Sequence, residues 1–400
     1  MDELLNYQAI LAKNSPKKWH RYLYSQIPVN ERLIGIKGLR GVGKSTLLLQ
    51  LLSEKLSQGS RALYVTVEHP YFYRSSLFDM ASTWYSYGGR YLFIDEIHKY
   101  PNWSRELKLI YDGFPDLDVV FTSSSALDLY RGESDLSRRL FVAVLHGLSF
   151  REYLSINGYF SFAKIEIEDV LNRSMEITQS IFENLKHPIL PLFKDYLKSG
   201  YFPMTLEFSS DQISQRLIRI INTVLESDLS QIQGFSADNL IKIKQLLGAI
   251  AESVPFEPNI SKIAEKMHLG RQTVNLYLKN LEDAKILQLL YEKTKGISLL
   301  QKPGKIYFEN SNFLFSFQGT PSLGTIRETF FLNQIKNAGH LVGLAKKGDF
   351  IVNENLTFEV GGKNKDNSQI KGIEKGYLAL DELEIGFGQK IPLWLFGFLY

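Results

Sequence analysis

Gly38-Leu39-Arg40-Gly41-Val42-Gly43-Lys44-Ser45, followed by Thr46, fills every position of the G-x-x-x-x-G-K-[ST] phosphate loop. The run before it, Leu33-Ile34-Gly35-Ile36, is short and apolar, as a buried parallel strand is. Behind it Leu47, Leu48, Leu51, Leu52 and Leu56 recur at helical spacing as far as Gly59. A strand, a glycine loop and an amphipathic helix are the setting in which such a loop works. The glycines let backbone N–H groups curl round a polyphosphate, and the helix start adds its positive dipole end. Gly38, Arg40, Gly41, Val42, Gly43, Lys44, Ser45 and Thr46 are the candidate nucleotide-binding residues. Lys44 is expected to reach the β- and γ-phosphates of ATP, and the Ser45 hydroxyl to ligand Mg²⁺. Trp19, Tyr22 and Tyr24 lie just upstream, where rings either stack on a base or pack under a sheet edge; the sequence does not assign them.

Ala62 to Val67 reads as a second buried strand, and Arg90-Tyr91-Leu92-Phe93-Ile94-Asp95-Glu96 as an apolar run ending in two carboxylates. A strand of that kind delivers its acids to the carboxyl edge of a parallel sheet, beside the phosphate loop. Asp95 is expected to hold Mg²⁺ through water and Glu96 to polarise the attacking water. Asp118 to Phe121 forms a further strand running into Thr122-Ser123-Ser124-Ser125. Placed between the loop strand and the acidic strand, Thr122 or Ser124 is a candidate γ-phosphate sensor; capping of a following helix is the other use of those hydroxyls. Arg138 and Arg139 precede a fifth strand, Leu140 to Leu145. An arginine there is a candidate for offsetting charge on the transferring phosphoryl group, in its own or a neighbouring subunit.

At 400 residues the chain exceeds one ordinary core, so two or three domains are expected. Apolar content of 44% excludes a disordered class. A net charge of +3 leaves any basic surface local. The absence of cysteine excludes disulfides and thiolate zinc sites and suits a reducing compartment. The acidic start Met1-Asp2-Glu3 lacks an apolar signal core, and the apolar tail Ile391 to Tyr400 is too short to span a bilayer. A cytoplasmic protein with no membrane partner is expected.

Separated signatures then give a family resemblance. Tyr91-Leu-Phe-Ile-Asp95-Glu96-Ile-His98-Lys99-Tyr100-Pro-Asn-Trp103 resembles the fingerprint of AAA+-type bacterial and archaeal predicted ATPases. Asp135-Leu-Ser137-Arg138-Arg139 and Gly147-Leu-Ser-Phe-Arg151-Glu152-Tyr-Leu are similar to that family's later signatures, whereas Ser123 stands where it usually shows glycine in a T-G-S-S turn. The resemblance implies an ATPase domain paired with a C-terminal domain of restriction-endonuclease-like type.

From Phe150 onward helical periodicity takes over, clearest over Leu171 to Leu185, Ile189 to Leu197 and Gln212 to Leu225, as suits the lid of an AAA+ protein. Ile260 to Ala264, a turn at Met267-His-Leu-Gly270, and Gln272 to Leu281 read as a helix-turn-helix of winged type. Val274, Leu278 and Leu281 form its buried stripe, and Arg271, Gln272, Asn275 and Lys279 face outward. DNA binding and protein contact are both uses of that face. Lys305 to Phe308 is expected to begin the strands of the C-terminal domain, with Ile391 to Leu399 as its closing strand. In a restriction-endonuclease-like fold Glu328, Asp349 and Glu359 are candidate metal ligands. Gly361 stands where the usual lysine follows, leaving Lys363 as a substitute and a helix starting near Gln369. A retained fold with a dead site is the preferred reading.

The expected architecture is therefore α/β: a P-loop, AAA+-type parallel-sheet domain over 1–150, a helical lid and winged helix over 151–300, and an α/β restriction-endonuclease-like domain over 301–400. The expected function is Mg²⁺-dependent ATP hydrolysis coupled to domain movement, in a possible homo-oligomer. The alternatives are an ATP-gated DNA-binding switch and an ATP-regulated nuclease.

Overall fold

The computed structural model describes residues 1–28, 30–123, 136, 138–228, 237–252, 257–291 and 302–400. The chain forms two compact units, Met1–Gly147 and Leu148–Tyr400. The first is a five-stranded, wholly parallel sheet in the order β2-β3-β4-β1-β5. Its strands are β1 (Leu33–Lys37), β2 (Ala62–Thr66), β3 (Tyr91–Asp95), β4 (Asp118–Ser123) and β5 (Phe141–Val144). Each is nearly continuously apolar, because helices cover both faces. The connecting helices are α2 (Lys44–Ser57), α3 (Leu77–Ser86) and α4 (Trp103–Gly113).

Leu63, Val65, Leu92, Ile94, Val119 and Phe121 pack with Met80 and Trp84 of α3 and Leu107 and Ile110 of α4 in one buried cluster. Burying each such large side chain stabilises the fold by about 1.5–3 kcal/mol. α1 (Asp2–Asn14) closes the open edge at β2. There the Tyr64 N–H donates to Gln8 Oε1 at 2.6 Å, and Gln8 Nε2 donates to the Ala62 carbonyl at 3.4 Å, so a side chain satisfies groups that another strand would otherwise seek. This is the parallel P-loop sheet that the loop and the acidic strand imply, with β4 lying between β1 and β3 as expected.

The second unit opens with helices α5 (Phe150–Ile156), α6 (Ile167–Asn184), α7 (Ile189–Asp195), α8 (Ser210–Thr223) and α9 (Ala237–Ala251). Helices α10 (Ile260–Lys266) and α11 (Arg271–Asp283) then lead into β6 (Leu287–Leu290). β6 pairs antiparallel with β7 (Lys305–Phe308), Leu287 opposite Phe308. Lys305–Phe308 thus completes this two-stranded sheet instead of starting the C-terminal one: Ile306, Tyr307 and Phe308 bury with Leu287, Leu289 and Leu290. After α12 (Ser311–Gln318) and α13 (Leu323–Asn337) comes a second five-stranded sheet in the order β12-β11-β10-β9-β8. β8 (Val342–Leu344), β9 (Phe350–Val352) and β10 (Leu356–Gly362) pair antiparallel; β10, β11 (Gly376–Asp381) and β12 (Lys390–Pro392) pair parallel.

Two expectations are corrected here. No helix starts at Gln369: residues 363–375 are turns, where the Asp366 carboxylate accepts from the Ser368 N–H at 3.1 Å and Gly372 sits at φ +79°. Asn, Asp, Ser and Gly hold the chain in turns by such local bonds. The apolar tail is not a strand beyond Pro392, which lacks the N–H a ladder needs; Leu393–Phe398 forms a fully buried 3₁₀ helix. Among the described residues no helix is long and apolar enough to cross a membrane.

Candidate nucleotide site

The glycines have specific work in the loop. α2 begins at Lys44 with Gly43 as its cap at φ 96°, and Gly41 stands at φ 87°, both in the left-handed region that favours glycine. A Cβ on Gly38 would lie 2.3 Å from the Leu145 carbonyl oxygen, so only glycine lets the loop pass the end of β5. Lys44 is buried, its Nζ donating to the Gly38 carbonyl at 2.9 Å and the Leu39 carbonyl at 3.2 Å. Arg40, Ser45 and Thr46 are half-buried, and Val42 is buried beneath the loop. These features fit a polyphosphate: a backbone turn that excludes side chains, a helix start behind it, and a lysine lying along it.

Arg21 is a support that the sequence did not reveal. Its buried guanidinium donates to the Val42 carbonyl at 2.5 Å, the His146 carbonyl at 2.7 Å and the Gly147 carbonyl at 2.8 Å, tying the loop to the end of β5. Replacing Arg21 by Met should cost about 3 kcal/mol of stability, because several buried carbonyls lose charged donors. Chemical denaturation checks this, and an unchanged midpoint would contradict the bracing role.

The acidic edge is organised across three neighbouring strands. Asp95 ends β3, is buried, and accepts from two hydroxyls: Thr122 on β4 at its Oδ1 and Tyr64 on β2 at its Oδ2, the latter at 2.8 Å. Burial first, and the charge of Asp95 next, hold the Tyr64 phenol far above its ordinary pKa, so it stays a donor. Thr122 Oγ1 also accepts from the Glu96 N–H at 2.9 Å. Glu96 itself stands at φ 57°, a left-handed conformation uncommon for a non-glycine residue and concentrated at functional sites. The pairs Ile36–Thr122 and Lys37–Ser123 bring the β4 hydroxyl end level with the start of the phosphate loop. Lys44, Asp95, Glu96 and Thr122 therefore share one edge of the sheet. Ser124 lies outside the described residues.

Arg138 and Arg139 are not brought there. β5 runs parallel to β1, so residues preceding it sit at the amino edge, one strand length or about 13 Å from the loop end. Arg138 is exposed, and Arg139 forks onto Asp112 at 2.8 and 3.0 Å. The contact seen for Arg139 is with Asp112 and not with the phosphate loop.

In the second unit Arg271 and Gln272 are exposed at the start of α11, whereas Lys279 is engaged with Glu282 and Asp283, each at 2.9 Å. Leu276, 56% exposed, is an apolar residue on the same helix. Further on, Glu328 accepts from Tyr307 Oη at 2.6 Å, and Asp349 accepts from the Val360 N–H at 2.8 Å. Burial raises the pKa of both Glu328 and Glu359. The lysine that meets Glu359 is Lys365, with Nζ at 2.5 Å from Oε1, and not the exposed Lys363. Its stem fills the space over Gly361, where a Cβ would come within 2.8 Å of Lys365 Cβ and Cγ. The charge of Asp349 adds to the rise at both Glu328 and Glu359, so the three acids share one neighbourhood, but among the described residues no group of three or more acid, imidazole or thiol side chains is placed to hold a metal ion.

Comparison with known proteins bears on the first unit most directly. The family model described as an AAA domain matches residues 30–154. A second model, described as a domain of unknown function, matches residues 190–321. An uncharacterized protein of Methanocaldococcus jannaschii is 25% identical over 389 residues, covering 89% of this chain and 82% of that one. Among solved structures the chain is similar to a Walker-type ATPase of Pyrococcus abyssi, at 13% identity and a TM-score of 0.43 over 77% of this chain and 99% of that one. It is also similar to AMPPCP-bound DnaA from Aquifex aeolicus, at 14% identity and a TM-score of 0.25 over 71% and 89%.

Proposed function

We propose, from the premise that residues 30–154 are an AAA domain, that this protein is a cytoplasmic ATPase that binds ATP with Mg²⁺, hydrolyses it, and converts nucleotide state into movement of its second unit. The observation that carries the reading is the gathering of Lys44, Asp95, Glu96 and Thr122 at one edge of a parallel sheet, by a loop and two strands far apart in sequence. In this reading Gly38 to Thr46 cradle the triphosphate and Lys44 neutralises its β- and γ-oxygens. Mg²⁺ would supply charge neutralisation of the phosphates, held by Ser45 and, through water, Asp95. Tyr64 and Thr122 fix the Asp95 carboxylate, and Thr122 senses the γ-phosphate. Glu96 takes up proton density from the attacking water. With Arg138 and Arg139 at the amino edge, either serves as a finger only towards a neighbouring copy, which makes the working form a homo-oligomer. Functionally the chain would divide as ATPase (1–150), helical lid and winged helix (151–300) and C-terminal module (301–400).

Steady-state phosphate release at several protein concentrations, with Mg²⁺ or chelator and with or without DNA, tests this. Release should require Mg²⁺, and specific activity should rise with protein concentration as shared sites assemble. A rate per molecule independent of concentration would remove the shared finger, and no release at any concentration would remove hydrolysis.

The second reading is an ATP-gated DNA-binding switch. It is favoured by the succession of α10, α11 and the antiparallel β6–β7 pair, with Arg271 and Gln272 exposed. The pairing of Lys279 with Glu282 and Asp283 weakens it, because one of the two cations of that face is already neutralised within its own helix. An ATP-regulated nuclease is supported least, because among the described residues no group of three or more acid, imidazole or thiol side chains is placed to hold a metal ion.

A further inference from the structure

Glu96 has polar neighbours that the hydrolytic scheme above does not use. Lys99 Nζ stands 3.5 Å from Glu96 Oε2 and 2.6 Å from Glu68 Oε1, and His98 Nε2 lies 3.8 Å from the same Glu96 oxygen. Glu68 follows β2 and Lys99 closes the short 3₁₀ turn after β3, so this bridge joins the carboxyl ends of two neighbouring strands. The turn is built to place them: the Lys99 N–H donates to the Glu96 carbonyl at 3.0 Å, and the Val67 N–H donates to the Asp95 carbonyl at 3.3 Å. The cation is shared unequally, close to Glu68 and looser to Glu96.

That inequality has a chemical meaning. A carboxylate that polarises water must keep a lone pair for it, and a cation bound tightly to the same oxygen lowers its basicity. An ammonium 99 residues into the chain and three after the base will pair with the base unless something else holds it. We infer that Glu68 is a positioning residue for hydrolysis, a competing acceptor that draws the Lys99 ammonium away from Glu96 and so keeps the Glu96 carboxylate available to water. The inference rests on Glu96 being the water-polarising group. Glu68 touches no reacting atom and acts only through Lys99. Side-chain exposures of 54% for Glu68 and 31% for Lys99 leave both free to exchange partners without rearranging the core.

The test is a double-mutant cycle read as steady-state kinetics. Glu68→Gln should lower kcat about tenfold, a fraction of what a general base supplies, with KM and ATP affinity unchanged. Glu68→Asp, which keeps the charge, should retain more activity than Glu68→Gln. In a Lys99→Met background the further change Glu68→Gln should have no effect, because the cation it competed for is gone. A full kcat in Glu68→Gln overturns the inference. So does an equal loss in both backgrounds, which would mean that Glu68 acts without Lys99. Glu96→Gln separates the two levels: if it still turns over, the base assignment itself fails. If it is inactive while Glu68→Gln is normal, only the role of Glu68 fails.

Discussion

Replacing Glu96 by glutamine should bring phosphate release down by about 10²–10⁴-fold, the span a positioned general base contributes, while ATP affinity stays within about threefold of the parent. The substitution keeps the shape of the side chain, and the backbone N–H of residue 96 can still donate to Thr122 Oγ1. What it removes is the negative charge that, in the proposed role, draws a proton from water. It also removes the ion partner of the part-exposed Lys99 at 3.5 Å, a contact worth about 0–1 kcal/mol, so thermal stability should barely move. Equilibrium nucleotide titration alongside phosphate release separates binding from chemistry. Unchanged release would refute the assignment of Glu96, and a matching loss of binding would make it a binding residue.

Lys44→Ala is expected to have the opposite signature, losing nucleotide binding by about 10²-fold or more, since each hydrogen bond from an ammonium to a phosphate is worth about 1.5–3 kcal/mol. The deletion also takes the Lys44 donor from the Gly38 and Leu39 carbonyls, leaving Leu39 with the Val42 N–H at 3.4 Å, so the loop loses an internal brace together with its charge. Binding should fall for both the diphosphate and the triphosphate, which share the β-phosphate, and circular dichroism should show the sheet intact. Normal affinity for ATP in this variant would count against the whole loop reading.

The parts of the site legible in the sequence are those encoded over short stretches. Glycines with a following lysine and serine specify a loop, apolar runs specify buried parallel strands, and a run ending in two acids specifies where those acids emerge. Even the place of β4 between β1 and β3 follows once the loop strand and the acidic strand are taken as halves of one site. What was not legible depends on reach across the fold. Arg21 braces a loop more than twenty positions away, and Tyr64 donates to Asp95 because β2 happens to neighbour β3. The position of Arg139 needed the direction of β5, which an apolar run does not disclose. Composition also misleads where burial is complete. Leu393–Phe398 is apolar at every position, so no alternation separates a strand from the 3₁₀ helix it forms. Lys365 rather than Lys363 meets Glu359 because the turn after β10 folds back over Gly361, where the Lys365 N–H donates to the Gly362 carbonyl and Ser368 donates to the Asp366 carboxylate.

The chain of contacts from Tyr64 through Asp95 and Thr122 to the Glu96 amide crosses β2, β3 and β4 in turn. Each link exists in one strand register alone. Sliding β4 by one residue would offer Asp95 either Phe121 or Ser123, turned to the other face of the sheet. If the proposed hydrolysis holds, catalytic competence works as a checksum on folding: a preparation's active fraction counts the molecules whose three strands have settled in step. A sample with native helix content and a misaligned sheet would look folded by spectroscopy and still score as zero.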